Sequence, residues 1–402
     1  MKVSISHQKP VITEYWSATE IAQQNHKLSF SSDSKTIDSL EGVLRSSVKQ
    51  QMIADVPIGA FLSGGIDSSV ITALMQEQSM EKIKTFTIGF NQQGFNEAEH
   101  AKAVANHLNT DHAELYIDSQ DLLNVIPKLS ELYDEPFGDS SQIPTYLIAQ
   151  FAKQTVTVAL SGDGGDELFC GYNRYKISDK YWKKLKTIPL FLRRIIASSI
   201  SKLPPQQIDK MYSLVTRNAQ YANFSDKVLK GSNVIASKDI ADLYIGLISA
   251  CKDPNSCVID GIESNNFLHS KLNMLKNFDD LSLMMLMDLL TYLPDDILTK
   301  VDRAAMGVSL ETRVPMLDHQ IVEFAMQLPQ EYKLRENQTK WILREVLYRN
   351  VPQELIDRPK AGFAIPIGLW LRTSLKDWAE DLLSESSIHD QGFFNAAKIR
   401  ER

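Results

Sequence analysis

Apolar positions along this chain change their period in a regular way. From about Ile37, Leu40, Val43, Leu44 and Val48 recur on one face at helical spacing. Val56 to Leu62 then forms a short apolar run that ends in Ser-Gly-Gly, the pattern of a buried strand followed by a turn. Val70, Ile71 and Leu74 return to a helical face, and Thr85 to Phe90 predicts a second strand. Asn96 is placed to cap a helix carrying Ala98, Ala101, Val104 and Leu108. His112 to Ile117 predicts a third strand, Gln120 to Tyr133 and Ser141 to Lys153 two helices, and Thr155 to Leu160 a fourth strand that again ends in Ser-Gly. Strands separated by helices imply parallel pairing, so the fold class is α/β with a doubly wound parallel sheet. Ligands of such sheets sit beyond the carboxyl ends of the strands, where both Ser-Gly turns fall.

Around this core the pattern is looser. Residues 1–35 read as an irregular lead-in, with a polar, Ser-rich linker from Gln23 to Lys35. Residues 36–175 hold the strand–helix alternation, and 176–402 are mostly helical. Tyr181 to Ser201 is basic and amphipathic, a pattern shared by solvated helix faces and membrane-surface helices; the solvated face is the simpler reading. Leu281 to Leu293 is rich in Met but interrupted by Asp288, which predicts a core helix rather than a membrane span. No repeat or low-complexity block interrupts the chain.

The turns carry the candidate chemistry. Ser63-Gly64-Gly65-Ile66-Asp67-Ser68-Ser69 opens a helix. Its glycines allow a tight turn, and a helix amino terminus offers amide donors and a positive dipole to an anion. Asp67 in such a loop makes sense as a ligand to Mg²⁺ bridging phosphate oxygens; the plainer alternative is a Ser/Gly turn with Asp67 as a helix cap. Ser161-Gly162-Asp163-Gly164-Gly165-Asp166-Glu167 places three carboxylates on one glycine-rich loop. They repel one another unless a divalent cation or a cationic substrate joins them, or unless the loop is simply a solvated acidic turn. Tyr292 to Arg303 (YLPDDILTKVDR), Glu311 to Asp318 and Arg358-Pro359-Lys360-Ala361-Gly362-Phe363 are further strings that can equally be capped helices or surface loops.

Composition narrows the function without choosing it. The 402 residues suffice for about two domains. A formal net charge of −7 argues against a general nucleic-acid binder. Three scattered cysteines form no disulfide framework or zinc pair, which points to a reducing cytoplasm. Met1 to Pro10 has no apolar run of the signal-peptide kind.

In their order, these strings and Asp134-Glu135-Pro136-Phe137-Gly138-Asp139-Ser140 resemble the synthetase domain of glutamine-hydrolysing asparagine synthetases, from about Tyr15 to the end. The first loop resembles that of the ATP-pyrophosphatase (PP-loop) superfamily, and no GK[ST] follows it as in a Walker loop. The resemblance implies an adenine nucleotide alpha hydrolase-like fold and ATP cleavage between the α and β phosphates. It implies ATP contacts at Leu62, Ile88, Ser161 and Gly162, and a pyrophosphate loop of Ser63, Gly64, Gly65, Asp67, Ser68 and Ser69. It implies Mg²⁺ ligands at Asp67 and Asp166, with Lys360 from the helical region stabilising charge on the reacting phosphate. Asp163 falls where many relatives carry Glu, a position tied to forming or using the acyl-adenylate. The substrates implied are aspartate, ATP and ammonia; amidation of another carboxylate, or a non-catalytic nucleotide-binding subunit, stays open.

Full-length relatives begin with a glutaminase domain whose amino-terminal Cys is the nucleophile. Here Lys2 follows Met1 and the first Cys is Cys170. The expectation is therefore a split or truncated chain that uses free ammonia, receives it from a separate glutaminase subunit, or is inactive. A second copy of the chain is the other partner the family leaves open, with neither nucleic acid nor membrane expected.

Overall fold

The computed structural model describes residues 14–24, 32–90, 97–204, 234–249, 253–262, 278–357 and 367–401, with isolated positions at 207–208, 228, 231–232 and 251. Contacts divide the chain into two compact units. One comprises residues 1–171 and 288–376, the other 172–287 and 377–402. The sequence suggested boundaries after residues 35 and 175; contacts place the lead-in within the first unit, and the chain returns to that unit at Asp288.

The first unit is built on five parallel strands in the order β3-β2-β1-β4-β5. These are β1 Ile58–Phe61, β2 Lys84–Phe90, β3 Asp111–Ile117, β4 Val158–Leu160 and β5 Glu311–Arg313. Ala60 pairs with Thr85 of β2 on one side and with Leu160 of β4 on the other. The chain leaves β1 towards β2 but leaves β4 towards β5, so the strand order reverses between β1 and β4. This is the crevice at which open α/β sheets bind ligands.

Why these segments are strands follows from burial on both faces. Phe86, Ile88 and Phe90 of β2, together with Thr85 and Thr87, are all buried, as helices covering both faces require. Phe86 meets Phe151 edge to face, ring centroids 6.0 Å apart. The helices are α1 Ala18–Gln23, α2 Asp33–Gln51, α3 Ile66–Glu77, α4 Ala98–Leu108, α5 Ser119–Leu132, α6 Gln142–Lys153 and α7 Gly165–Leu168. Leu40, Leu44 and Val48 of α2 are completely buried, as their spacing predicted.

Several expectations need adjusting. The lead-in contains a helix, α1. α2 begins at Asp33, inside the expected linker, because the Ser32 side chain accepts from the Lys35 amide and caps it. Glu97, not Asn96, holds the capping position of α4, and makes no side-chain cap bond; Asn96 lies outside the described residues. β5 was missed, being three residues long with no apolar run of its own.

The second unit is helical. It includes α8 Asn173–Leu185, α9 Leu190–Ser201 and the helices Ile240–Ile248 and Ala396–Arg400. Arg174 donates to Tyr244 Oη at 2.7 Å and lies 4.0 Å over the Tyr172 ring. Arg193 is buried and donates to the carbonyls of Ile188 and Ser237. The basic segment read as one amphipathic stretch is two helices, with Pro189 capping α9. Phe191, Leu192, Ile195 and Ile196 are exposed, so the solvated face carries apolar residues as well as charge. The Met-rich segment is the helix Asp280–Leu290, in which Met284, Met285 and Met287 are buried. No helix among the described residues is long and apolar enough to cross a membrane.

Candidate active site at the strand switch point

The loop after β1 wraps tightly on itself. Ser68 Oγ lies 3.1 Å from the Ser63 amide that donates to it and 3.0 Å from Ser63 Oγ, and it donates to the Gly65 carbonyl at 3.3 Å. Gly64 takes a positive φ of 69° and Gly65 occupies the capping position of α3. The first-turn amides of α3 therefore meet the crevice without intrahelical acceptors. Ser69 is fully buried and its hydroxyl has no hydrogen-bond partner among the described residues. Of the three serines of the expected pyrophosphate loop, Ser63 and Ser68 bond to one another, while Ser69 is buried. Leu62, just past β1, and Ile88, within β2, are buried, with the Leu62 amide donating to the Phe86 carbonyl at 2.9 Å.

The loop after β4 lies directly on the first. A Cβ placed on Gly162 would sit 2.6 Å from the Ser68 amide nitrogen and 2.8 Å from the Asp67 carbonyl carbon. A Cβ on Gly165 would overlap the Asp67 carboxylate. Only glycine lets two backbones approach this closely. Ser161 donates to Asp163 Oδ2 at 2.5 Å and receives the Asp163 amide at 3.2 Å. Asp166 is on α7, at whose amino terminus Gly164 has φ +88°.

Asp67 and Asp166 are brought together, and a residue that motif reading passed over stands between them. Lys340 is 3% exposed; its Nζ pairs with Asp67 Oδ2 and, at 2.5 Å, with Asp166 Oδ1. Burial works to neutralise this ammonium, but the Asp166 and Asp67 carboxylates outweigh it and hold its pKa well above the usual lysine range. Two carboxylates that converge on one cationic centre, walled by glycines, have the donor chemistry of a hard divalent cation, with remaining positions left for phosphate or water oxygens. Mg²⁺ therefore fits Asp67 and Asp166. No cluster of three or more His, Cys, Asp or Glu side chains fit to hold a metal occurs among the described residues.

A second cluster adjoins this one. Lys300 Nζ is 2.5 Å from Asp139 Oδ2 and 3.5 Å from Asp296 Oδ1. Asp139 also accepts from the Ser141 amide and hydroxyl, both at 2.8 Å. Tyr133 donates to the Lys300 carbonyl at 3.2 Å. Asp296 sits in the π-turn Leu293–Leu298, which leads into the helix Thr299–Met306. Burial pushes Asp296 up to about 6, against the pull of Lys300. Burial foremost, then Asp67 and Asp166, raises the Asp163 pKa, while Ser161 and Lys300 pull it down.

The loops after β1 and β4, with Asp67, Gly162 and Asp166, thus meet, while Ile88 lies within the neighbouring strand β2. Lys360 and the Arg358–Phe363 string lie outside the described residues. Lys300 and Lys340 were missed as individuals. Lys300 was inside a string already singled out, and its i,i+4 spacing from Asp296 was the available signal. Lys340 had none: only the tertiary fold brings it 273 residues back to Asp67.

The family model described as "Asparagine synthase" matches residues 39–402. The chain is 33% identical over 357 residues to asparagine synthetase [glutamine-hydrolyzing] 1 of Bacillus subtilis, covering 88% of this chain and 53% of that protein. It is 33% identical over 375 residues to a putative asparagine synthetase [glutamine-hydrolyzing] of Mycobacterium bovis, covering 92% and 54%. A more distant relative, Amidase chry2 of Gibberella zeae, is 24% identical over 414 residues, covering 90% and 58%. The chain spans about half the length of the curated relatives it matches.

Proposed function

The chain belongs to the asparagine synthase family, and from that premise we propose that it joins ammonia to the side-chain carboxylate of aspartate, using ATP and releasing AMP and pyrophosphate. The observation that carries this reading is the convergence of Asp67 and Asp166, from two loops at the strand reversal, on a single cationic position.

A carboxylate is a poor electrophile at neutral pH. In the proposed first step, a carboxylate oxygen of aspartate attacks the α-phosphorus of ATP. The bond to the bridging oxygen breaks, pyrophosphate leaves, and β-aspartyl-AMP remains. The α3 amino terminus and the Ser63–Ser68 turn cradle the departing pyrophosphate through amide and hydroxyl donors. Held by Asp67 and Asp166, Mg²⁺ would supply charge neutralisation for the phosphates. Lys360 is the proposed second source of positive charge at the reacting phosphate. In the second step ammonia attacks the acyl carbon, the bond to AMP breaks, and the nitrogen sheds a proton. Asp163 is the proposed acceptor of that proton: burial raises its pKa, which makes it a stronger base than an ordinary carboxylate. It is one methylene shorter than the Glu expected there, and its hydrogen bond from Ser161 fixes its reach.

A second reading is amidation of a different carboxylate by the same adenylation chemistry. Pyrophosphate release separates the two. With Mg²⁺-ATP and ammonium, the first reading expects release that depends on aspartate. Release driven only by another acid keeps the ligase chemistry and moves the substrate. No release with any acid contradicts both. Repeating the assay with glutamine in place of ammonium tests the ammonia source.

A further inference from the structure

We propose that Lys340 is an internal counter-ion standing where the divalent cation binds, so that the metal enters only together with the nucleotide. This rests on the reading of Asp67 and Asp166 as the metal's ligands.

The geometry sets the two cations in competition for the same two carboxylates. Lys340 Nζ bridges the same two carboxylates, pairing with Oδ2 of Asp67 and Oδ1 of Asp166. Mg²⁺ bound by both would stand about 2.1 Å from each oxygen, within the space that the ammonium fills. The surroundings leave little slack for both. A Cβ on Gly171 would overlap both the Asp166 carboxylate and Lys340 Cε, so the lysine stem lies in a slot that glycine keeps open.

The backbone also holds the ammonium in place. Lys340 has φ +56°, a left-handed conformation that side chains with a Cβ rarely adopt. Its amide donates to the Phe169 carbonyl at 3.2 Å, and its carbonyl receives the Arg344 amide at 3.0 Å. Both bonds tie the residue in this conformation, one of them to the loop that carries Asp166. Such a residue is built to reach the carboxylates.

The consequence is an order of binding. Without nucleotide, a divalent cation must drive a paired ammonium out of a buried site and leave it without a partner, which is costly. The phosphates of ATP change the balance, because they bring acceptors for the released ammonium and further ligands for the metal. The lysine thus keeps two neighbouring carboxylates from repelling one another before substrate arrives, and opposes occupation by metal alone.

Mn²⁺ alone, titrated into the full chain and followed by its electron paramagnetic resonance signal, tests this without turnover. Wild type is expected to bind Mn²⁺ alone roughly tenfold or more weakly than with a non-hydrolysable ATP analogue. Lys340→Met is expected to bind Mn²⁺ alone about tenfold or more tightly than wild type, and Lys340→Arg, which keeps the charge, to stay weak. Wild type that binds Mn²⁺ equally well with and without the analogue overturns the proposal, a result that holds even if Lys340→Met fails to fold. A folded Lys340→Met with wild-type affinity for Mn²⁺ alone overturns it too. If wild type binds no Mn²⁺ even with the analogue, the ligand assignment of Asp67 and Asp166 falls, and the proposal with it.

Discussion

Two buried lysines of the first unit are each held by two aspartates, yet the clusters are not equivalent. Lys340 makes close pairs with both Asp67 and Asp166, whereas Lys300 makes one close pair, with Asp139, and a longer one of 3.5 Å with Asp296. The first cluster joins the loops after β1 and β4 with a residue from far along the chain. The second joins the amino-terminal side of α6 to a π-turn. In the first cluster the carboxylates overcome burial and keep the lysine charged. In the second, burial wins at Asp296, whose pKa rises to about 6. A tight charge triad suits a place where one cation is exchanged for another. A looser one, with a carboxyl near its titration point, suits support of neighbouring groups.

Substitutions in the two clusters should therefore separate. The largest difference is expected in activity. Asp67→Asn should lower aspartate-dependent pyrophosphate release by about 1,000-fold, as loss of a group that stabilises developing charge would. Asp139→Asn should cost about tenfold or less on the same reasoning. Equal losses would erase the distinction between the clusters.

Stability should follow the same order. Lys340→Met leaves two half-buried carboxylates without their counter-ion and should cost about 3 kcal/mol in denaturant unfolding. Lys300→Met, with one long pair, should cost about 1–3 kcal/mol. A reversed order would mean that Lys300 is the more tightly bound ion. The pKa of Lys340 is raised by its partners, so the stability it contributes is complete below the ordinary lysine pKa and is lost only as alkali passes its higher folded value.

The glycine beside each cluster sharpens the comparison. Gly162→Ala would push a Cβ into the backbone of Asp67 and Ser68 and should destabilise by about 1–3 kcal/mol. Gly138, next to Asp139, has open space around its would-be Cβ, so Gly138→Ala should change stability by about 0.5 kcal/mol or less. Thermal unfolding of both variants checks this.

At Asp163 the expected effect depends on pH. Its raised pKa means that its proton-accepting form is lost on acidification at a higher pH than for an ordinary Asp. The rate of amide formation should fall through that range, and Asp163→Asn should remove the acid limb while slowing the plateau. In stability the sign is opposite. The raised pKa costs the fold something once pH passes the unfolded value, so Asp163→Asn should be neutral or slightly stabilising at pH 7. A pH–rate profile that keeps its acid limb in the variant would show that another group sets it.

Much of this site could be read in the sequence because its parts are local. The alternation of apolar runs and helical faces predicts four parallel strands, and the Ser-Gly turns mark their functional ends. Gly64, Gly65, Gly162 and Asp67 are legible because a turn, a close approach or a lone acid in an anion loop each has a residue requirement of its own. What stayed hidden depends on tertiary placement. β5 is three polar residues, Glu311–Arg313, recruited by pairing with β4 rather than by a pattern of its own. Lys340 looks like any surface lysine beside Trp341 until the fold buries it. Ser69 is buried because α3 is covered all round from Ser68 to Met75, which a motif string does not convey.

The central claim is that ATP activates the acid by adenylation in the crevice between β1 and β4. Aspartate labelled with ¹⁸O in its side-chain carboxylate, incubated with Mg²⁺-ATP and ammonium, tests it directly by mass spectrometry of the nucleotide product. Adenylation predicts that one labelled oxygen appears in AMP. AMP or ADP free of label, with asparagine formed, would contradict it.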